Sequence, residues 1–349
     1  MTELGLLLLR ADASPSIGAG HLMRSLALAQ AWRRRGGSFA FATRGLPAAL
    51  ADRIANEGGS VIELSEATAT NDAEQLGALV RERHARAVVI DGYTLTTAHH
   101  RAAREAGAKT LVIDDTGEHQ RYECDLVLNQ NLHADERFYG DRASHCRLLL
   151  GVRYTLLRQE YLRAGSEPKP IAPVAKTVLL SFGGADPAKL GERAIDAVDE
   201  LASLEAVLLI GAANPRRAAL EARAEKSRAT RVFADVTDMP RWLRWADVAV
   251  VAAGSTVWEL AYMGVPALVT PVADNQLGVA EGAERAGFAA SMGHERTLDA
   301  GRIANKLDEL CKSETTRRAM SAAGRNTIDG AGADRVVAAL LNEQNRESP

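Results

Sequence analysis

The stretch 4-LGLLLLRADASPSIGAGHLMR-24 decides the fold class of this chain. Residues 4–10 form an apolar run closed by Arg10, the mark of a strand buried on both faces. Glu3 precedes the run and Arg10 and Asp12 follow it, so it reads as a first strand and not as a signal peptide. The glycine-bearing turn Ser16-Ile17-Gly18-Ala19-Gly20 then opens a helical stretch over 21–35. Leu22, Leu26, Ala29 and Trp32 supply its apolar stripe, and Gly36-Gly37 ends it. Strand, glycine turn and helix make the opening unit of a parallel α/β sheet.

The unit repeats outward. Strands are expected at 38–43, 61–64, 87–91 and 110–114, with helices at 47–57, 72–84 and 97–106 and shorter strands at 125–129 and 146–150. Residues 166–173 carry Pro168, Pro170 and Pro173 and read as a linker and hinge. The alternation then restarts, with strands at 177–182, 206–210, 231–233, 248–252 and 267–272. Helices are expected at 187–200, 215–227, 239–246, 255–263, 276–286, 299–311, 314–323 and 332–342. The expected fold is α/β, with two doubly wound Rossmann-like domains at 1–167 and 174–330 and a C-terminal helix and tail at 331–349. Two such halves usually bind a ligand in the crevice facing the C-terminal ends of their strands.

Composition narrows the function. Lys+Arg is 42 and Asp+Glu is 45 in 349 residues, a net charge of −3. This balance argues against a nucleic-acid-wrapping or membrane-surface protein but leaves room for one phosphate group held locally. Cys124, Cys146 and Cys311 are far apart and odd in number, with no disulfide framework or zinc pattern, so a reducing cytoplasm fits. No run approaches the ~20 apolar residues that cross a bilayer.

The chemistry-bearing residues fall in turns that follow strands. Gly18 and Gly20 allow close backbone approach to a ligand, and the helix start offers free N–H groups. A nicotinamide fingerprint fails, because Met23 stands where its third glycine should be and Thr43-Arg44 where an acidic ribose ligand should be. His21 sits where the helix dipole favours neutral imidazole, which suits a general base. Arg24 lies one turn on and could neutralise an anion. A helix cap and a surface charge are the plainer alternatives. In the second half, Gly183-Gly184 repeats the glycine turn, with Asp186 as an expected N-cap and Pro187 as first helical residue. Gly254-Ser255-Thr256 forms a further candidate anion site. Glu259 could accept from a ribose hydroxyl or close a capping box, and Asn275 and Gln276 follow the next strand. Tyr93 could orient a sugar or water, or be a half-buried aromatic. Asp114-Asp115 lacks the histidine spacing of a metal site, and His99 and His100 read as solvated helix residues.

Together these segments resemble the pseudaminic acid biosynthesis hydrolase family. The matching stretches are Arg10–Ala13 with Ile17–Arg24, Asp91-Gly92-Tyr93, 151-GVRYTLL-157, 181-SFGGADP-187, 254-GSTVWE-259 and Asp274-Asn275-Gln276. The resemblance implies a two-domain GT-B fold with a central cleft, similar to the enzyme that adds N-acetylglucosamine to lipid-linked muramyl peptide. It implies hydrolysis of UDP-2,4-diacetamido-2,4,6-trideoxy-β-L-altropyranose to UDP and the free sugar, with UDP on the second half. His21 matches the family's general base, Tyr93 and Asn275 match sugar and nucleotide contacts, and Arg153 matches more loosely. It implies a cytoplasmic monomer acting on a small UDP-sugar, with no cofactor, metal, nucleic acid or membrane partner. A glycosyltransferase of the same fold and a non-catalytic nucleotide-sugar binding module remain alternatives.

Overall fold

The computed structural model describes residues 4–14, 18–65, 69–183, 186, 188–211 and 214–343. Ile17, Gly184, Ala185 and Pro187 lie outside the described residues, so the expected Pro187 helix start does too. The chain forms two compact units: Met1–Gln159 with Gly330–Pro349, and Glu160–Asp329.

The first unit runs β1 (Leu6–Ala11), α1 (Gly20–Arg34), β2 (Ser38–Thr43), α2 (Ala48–Asn56), β3 (Ser60–Glu63), α3 (Ala69–Glu82), β4 (Ala87–Asp91), α4 (Thr97–Glu105), β5 (Lys109–Ile113), β6 (Leu126–Asn129) and β7 (Arg147–Leu150). Its parallel sheet has the order β3-β2-β1-β4-β5-β6-β7. The helix α5 (Gln159–Ala164), absent from the sequence reading, carries the chain into the second unit. There follow β8 (Thr177–Ser181), α6 (Leu190–Asp199), β9 (Glu205–Ile210), α7 (Arg217–Glu225), β10 (Thr230–Ala234), α8 (Met239–Trp245), β11 (Val248–Ala252), α9 (Thr256–Met263), β12 (Ala267–Thr270), α10 (Leu277–Arg285), β13 (Ala289–Ser291), α11 (Ala300–Lys312) and α12 (Glu314–Thr327). Its parallel sheet has the order β10-β9-β8-β11-β12-β13. The expected pair of doubly wound α/β units is therefore present.

β1 shows why the apolar run forms a central strand. Leu7 and Leu9 enter a core with Leu22, Leu26 and Trp32 of α1, while Leu8 enters the opposite core with Leu76, Val88 and Ala103. The period-2 pleat sends neighbours to opposite faces, so a strand covered on both faces must be apolar throughout. Each fully buried leucine contributes roughly 2 kcal/mol of transfer free energy.

Two expectations are corrected by the long-range packing. The proline-bearing stretch 166–173 lies inside the second unit. Lys169 Nζ donates to Trp245 O, Ala246 O and the Asp247 carboxylate, and Arg317 donates to Ala172 O and Pro173 O. These bonds fasten the stretch to α8 and α12, so the crossing from the first unit falls earlier, at Gln159. The last helix, α13 (Gly332–Leu340), returns to the first unit, where Val336, Val337 and Leu340 join the α1-side core.

Gly332 permits that return. A Cβ at this position would lie 2.2 Å from Thr155 O and 2.6 Å from Thr155 N. Gly332→Ala is expected to lower stability by about 1–3 kcal/mol through this overlap, measured by urea unfolding. A change below about 0.5 kcal/mol would contradict the close docking of α13.

Candidate functional site

The strand order reverses between β1 and β4, so the turns after these neighbours diverge and leave a crevice at their C-terminal ends. Gly18 sits in that region with φ +80 and donates its N–H to Ser14 O at 2.7 Å, a left-handed turn that starts α1 at Gly20. His21 is therefore carried at the helix start, beside Asp91, the last residue of β4. His21 Nδ1 is 2.6 Å from Asp91 Oδ1. An ionised carboxylate only accepts, so Nδ1 carries the proton of this contact, and in the neutral ring that leaves the lone pair on Nε2.

Asp91 has no exposed side-chain surface and Arg24 only 10 %. Arg24 Nε donates to Asp91 Oδ2 at 2.6 Å, its Nη2 to Asp91 Oδ1 at 2.7 Å, and its Nη1 to Asp115 Oδ2 at 2.5 Å. Burial alone would push the Asp91 carboxyl up. The Arg24 charge and hydrogen bonds, with that of His21, outweigh it and hold the group at about 2. Burial likewise opposes the Arg24 charge, but Asp115 and Asp91 outweigh it and keep the guanidinium charged. Arg24, expected as an anion contact, lines the cavity with three of its five N–H donors given to these two carboxylates. Ser25 Oγ adds a 3.3 Å bond to Asp91 Oδ2.

A cavity of about 510 Å³ opens over this network. Its walls are His21 and Arg24, residues 92–93 and 95–98, and the segment 113–116 with 118–120 after β5. Tyr93 is 59 % exposed and packs edge-on against the His21 ring at 4.7 Å between centroids. Asp114 accepts from Thr116 N, Gly117 N and the Tyr122 hydroxyl. Burial raises this carboxyl, but those hydrogen bonds prevail and lower it. Asn131 Nδ2 donates to Asp115 Oδ1 at 2.8 Å, completing the acidic floor.

His99 and His100 are fully buried, not solvated as expected. α4 turns the face that carries His99, His100 and Ala103 inward. His99 Nδ1 accepts from Thr96 N at 3.0 Å, and the His100 ring meets His119, a cavity-wall residue, at 4.7 Å. Burial, followed by the His119 and His99 charges, lowers His100 to about 3.

The second unit gathers its sequence candidates at an equivalent switch, between β8 and β11. Gly183 follows β8 with φ +81, and Gly254 precedes α9. Ser255 takes the N-cap position with helical backbone and no side-chain cap bond, and is exposed. Thr256 and Glu259 lie in the first turn of α9, half-buried, and Asn275 and Gln276 lie in the short 3-10 turn after β12, Asn275 exposed. Gln276 Oε1 accepts from Val272 N at 3.0 Å, and a Cβ on Gly254 would lie 3.9 Å from Gln276 Nε2. The Gly254 and Gln276 motifs, 22 residues apart, thus meet. Asp186 does serve the start of α6, accepting from Leu190 N and Gly191 N, but from four residues ahead, with left-handed Lys189 at the N-cap.

Within the first unit, His21, Arg24 and Tyr93 line one cavity, and Gly18 and Gly20 shape the turn and helix start that carry His21. Arg153 does not join them: it follows β7 at the sheet edge, stacks over Tyr154 at 5.3 Å and is not a cavity-wall residue. The sequence reading missed Asp91 and Asp115 as site groups. The signal for Asp91 was a carboxylate closing the apolar strand β4, and for Asp115 a carboxylate just after β5; neither position alone names its partner. Among the described residues no cluster of three or more His, Cys, Asp or Glu could hold a metal ion, and no helix is long and apolar enough to cross a membrane.

Comparison with known proteins extends these observations. Residues 178–335 match the model for the glycosyltransferase family 28 C-terminal domain. The chain is 24 % identical over 246 residues to the spore coat polysaccharide biosynthesis protein SpsG of Bacillus subtilis, covering 70 % of this chain and 72 % of that one. It is 26 % identical over 255 residues to the UDP-2,4-diacetamido-2,4,6-trideoxy-beta-L-altropyranose hydrolase of Campylobacter jejuni, covering 72 % and 86 %. It is 29 % identical over 196 residues to a UDP-N-acetylglucosamine–N-acetylmuramyl-(pentapeptide) pyrophosphoryl-undecaprenol N-acetylglucosamine transferase of Shewanella baltica, covering 53 % and 54 %. The crystal structure of Acinetobacter baumannii MurG superposes with a TM-score of 0.65 at 15 % identity over 97 % of this chain and 99 % of that one. The S. aureus MnaA–UDP co-structure superposes at 0.67 and 13 % over 99 % of each. The fold is that of the GT-B glycosyltransferases.

A pH dependence follows from His100. Its folded value of about 3 lies below the ordinary 6.5, so the unfolded chain binds the extra proton first. Stability is full above pH 6.5 and is lost as pH falls toward 3, by about 1.4 kcal/mol per pH unit. Urea midpoints at pH 6.5, 5.5 and 4.5 are expected to fall for the native sequence and to fall less for His100→Gln. Equal slopes would contradict the neutral, buried state of His100.

Proposed function

We propose that this protein is an enzyme acting on a nucleotide sugar, and that it hydrolyses a UDP-sugar. The observation that carries the reading is the 2.6 Å contact of His21 Nδ1 with buried Asp91 at the wall of the cavity. Water held at Nε2 would lose a proton to His21 as its oxygen attacks the anomeric carbon, and the C–O bond to UDP would break with inversion. Asp91 fixes the ring's orientation and stabilises the imidazolium that forms. Tyr93, against the His21 ring, would position the sugar or the water. The second unit would take the diphosphate at the start of α9, where Gly254, Ser255 and Thr256 present backbone N–H groups and hydroxyls to growing negative charge. Glu259, Asn275, Gln276 and Gly183 would hold the nucleoside side of the ligand. The reaction needs no metal or cofactor in this scheme.

The Campylobacter hydrolase supports the finer reading. It aligns over 72 % of this chain and 86 % of its own length, against 53 % and 54 % for the Shewanella transferase. UDP-2,4-diacetamido-2,4,6-trideoxy-β-L-altropyranose is accordingly the proposed substrate, releasing the free sugar as a precursor of pseudaminic acid. The match of 178–335 to the glycosyltransferase family 28 model favours a second reading, in which an acceptor hydroxyl replaces water.

Incubation with a panel of UDP-sugars and NMR detection of the product separates the two. Free reducing sugar without any acceptor is expected, and UDP release only on addition of an acceptor would establish the transferase. His21→Ala is expected to abolish UDP release while leaving UDP binding within a few-fold by calorimetry. Asp91→Asn is expected to lower kcat by about 10²–10⁴-fold. Turnover of either variant within a few-fold of the native enzyme would remove the base assignment.

A further inference from the structure

Cys124 and Cys146 lie 22 residues apart in the chain, yet their Sγ atoms are 3.8 Å apart. The parallel pairing of β6 and β7 brings them together. Leu126 pairs with Arg147, so the residues entering the two strands run side by side. Tyr122 N donates to Asp141 O at 3.0 Å, Ala143 N to Tyr122 O at 2.9 Å and Arg147 N to Asp125 O at 2.9 Å, which holds the incoming segments in register. Both thiols are reduced and buried, Cys124 fully and Cys146 to 7 % exposure. The proposed reaction uses neither.

We propose that Cys124 and Cys146 form a site of reversible thiol oxidation, closed by a low-molecular-weight disulfide such as oxidised glutathione into a bond that staples edge strand β7 to β6. Cys146, the more exposed of the two, attacks first as thiolate. Its sulfur bonds to one reagent sulfur, the reagent S–S bond breaks, and one reagent thiolate leaves. Cys124 then loses its proton and attacks Cys146 Sγ, expelling the second reagent thiolate. Two protein thiols are oxidised by two electrons and one reagent disulfide is reduced to two thiols.

The surroundings suit that order. The contact with Cys124, together with the Arg142 charge, lowers the Cys146 thiol against the effect of burial. The same contact and burial push Cys124 up. A disulfide needs an S–S separation of about 2.05 Å, so the sulfurs must close by roughly 1.8 Å. Both residues precede their strands, where side-chain rotation and a small backbone shift leave the ladder intact. β7 pairs on one side only, so a cross-link would add a covalent tie to its single ladder.

The test treats the full-length native protein with oxidised glutathione, traps remaining thiols by alkylation and maps peptides by mass spectrometry. The expected product has lost two hydrogens, links Cys124 to Cys146 and retains an alkylated Cys311. Its Tm is expected to rise by about 5 °C and to fall back with dithiothreitol. Cys124→Ser is expected to stop at a glutathione adduct on Cys146 with no rise in Tm. A stable glutathione adduct on the native sequence, a link through Cys311, no reaction in the folded protein, or a lower Tm would overturn the proposal.

Discussion

The Arg24 guanidinium, spanning the carboxylates of Asp91 and Asp115, is the interaction on which the first unit's site depends. Asp91 lies at the end of a strand buried on both faces, where a lone carboxylate would be neutralised by desolvation. Arg24 makes its charge sustainable, and the charged carboxylate then orients His21. The cation one helical turn after the histidine therefore acts through Asp91. Removing one member of such a buried set leaves a charge without its partner, which costs more than the set contributes when complete.

The same logic extends along the cavity wall. Asp114 is held ionised by two amides and the Tyr122 hydroxyl, and Asp115 accepts from Arg24 and Asn131. The segment after β5 thus presents a polar face with its strongest charges internally compensated. A ligand entering there meets an oriented imidazole, an exposed tyrosine and hydrogen-bonding groups, not a free guanidinium.

Much of this was legible in residue order, and each miss has a physical cause. The run at 6–9 and the glycine turn at 18–20 declare a buried strand feeding a helix, because both depend on local geometry and on solvation of a few neighbouring side chains. His21, Tyr93, Gly254 and Gln276 stand out in the sequence because each comes after a strand, where α/β sheets usually place their ligands. His99 and His100 were misread because a polar helix segment carries no mark of the sheet it will cover. The stretch at 166–173 looked like a hinge from its prolines, while the bonds that fasten it come from Lys169, Asp247 and Arg317, up to 145 residues away.

The sequence by itself determined the α/β class, the alternation of elements and the glycine turns, since these follow from periodicity, φ preference and burial along a few consecutive residues. Only the tertiary structure decided the partners. Asp91 meets His21 across 70 positions because β1 and β4 are neighbours in the sheet. Cys124 meets Cys146 because β6 pairs with β7, and α13 returns to the first unit because Gly332 allows it to approach Thr155. Strand order is set by the packing of the whole sheet against its helices, and no local stretch of residues encodes it.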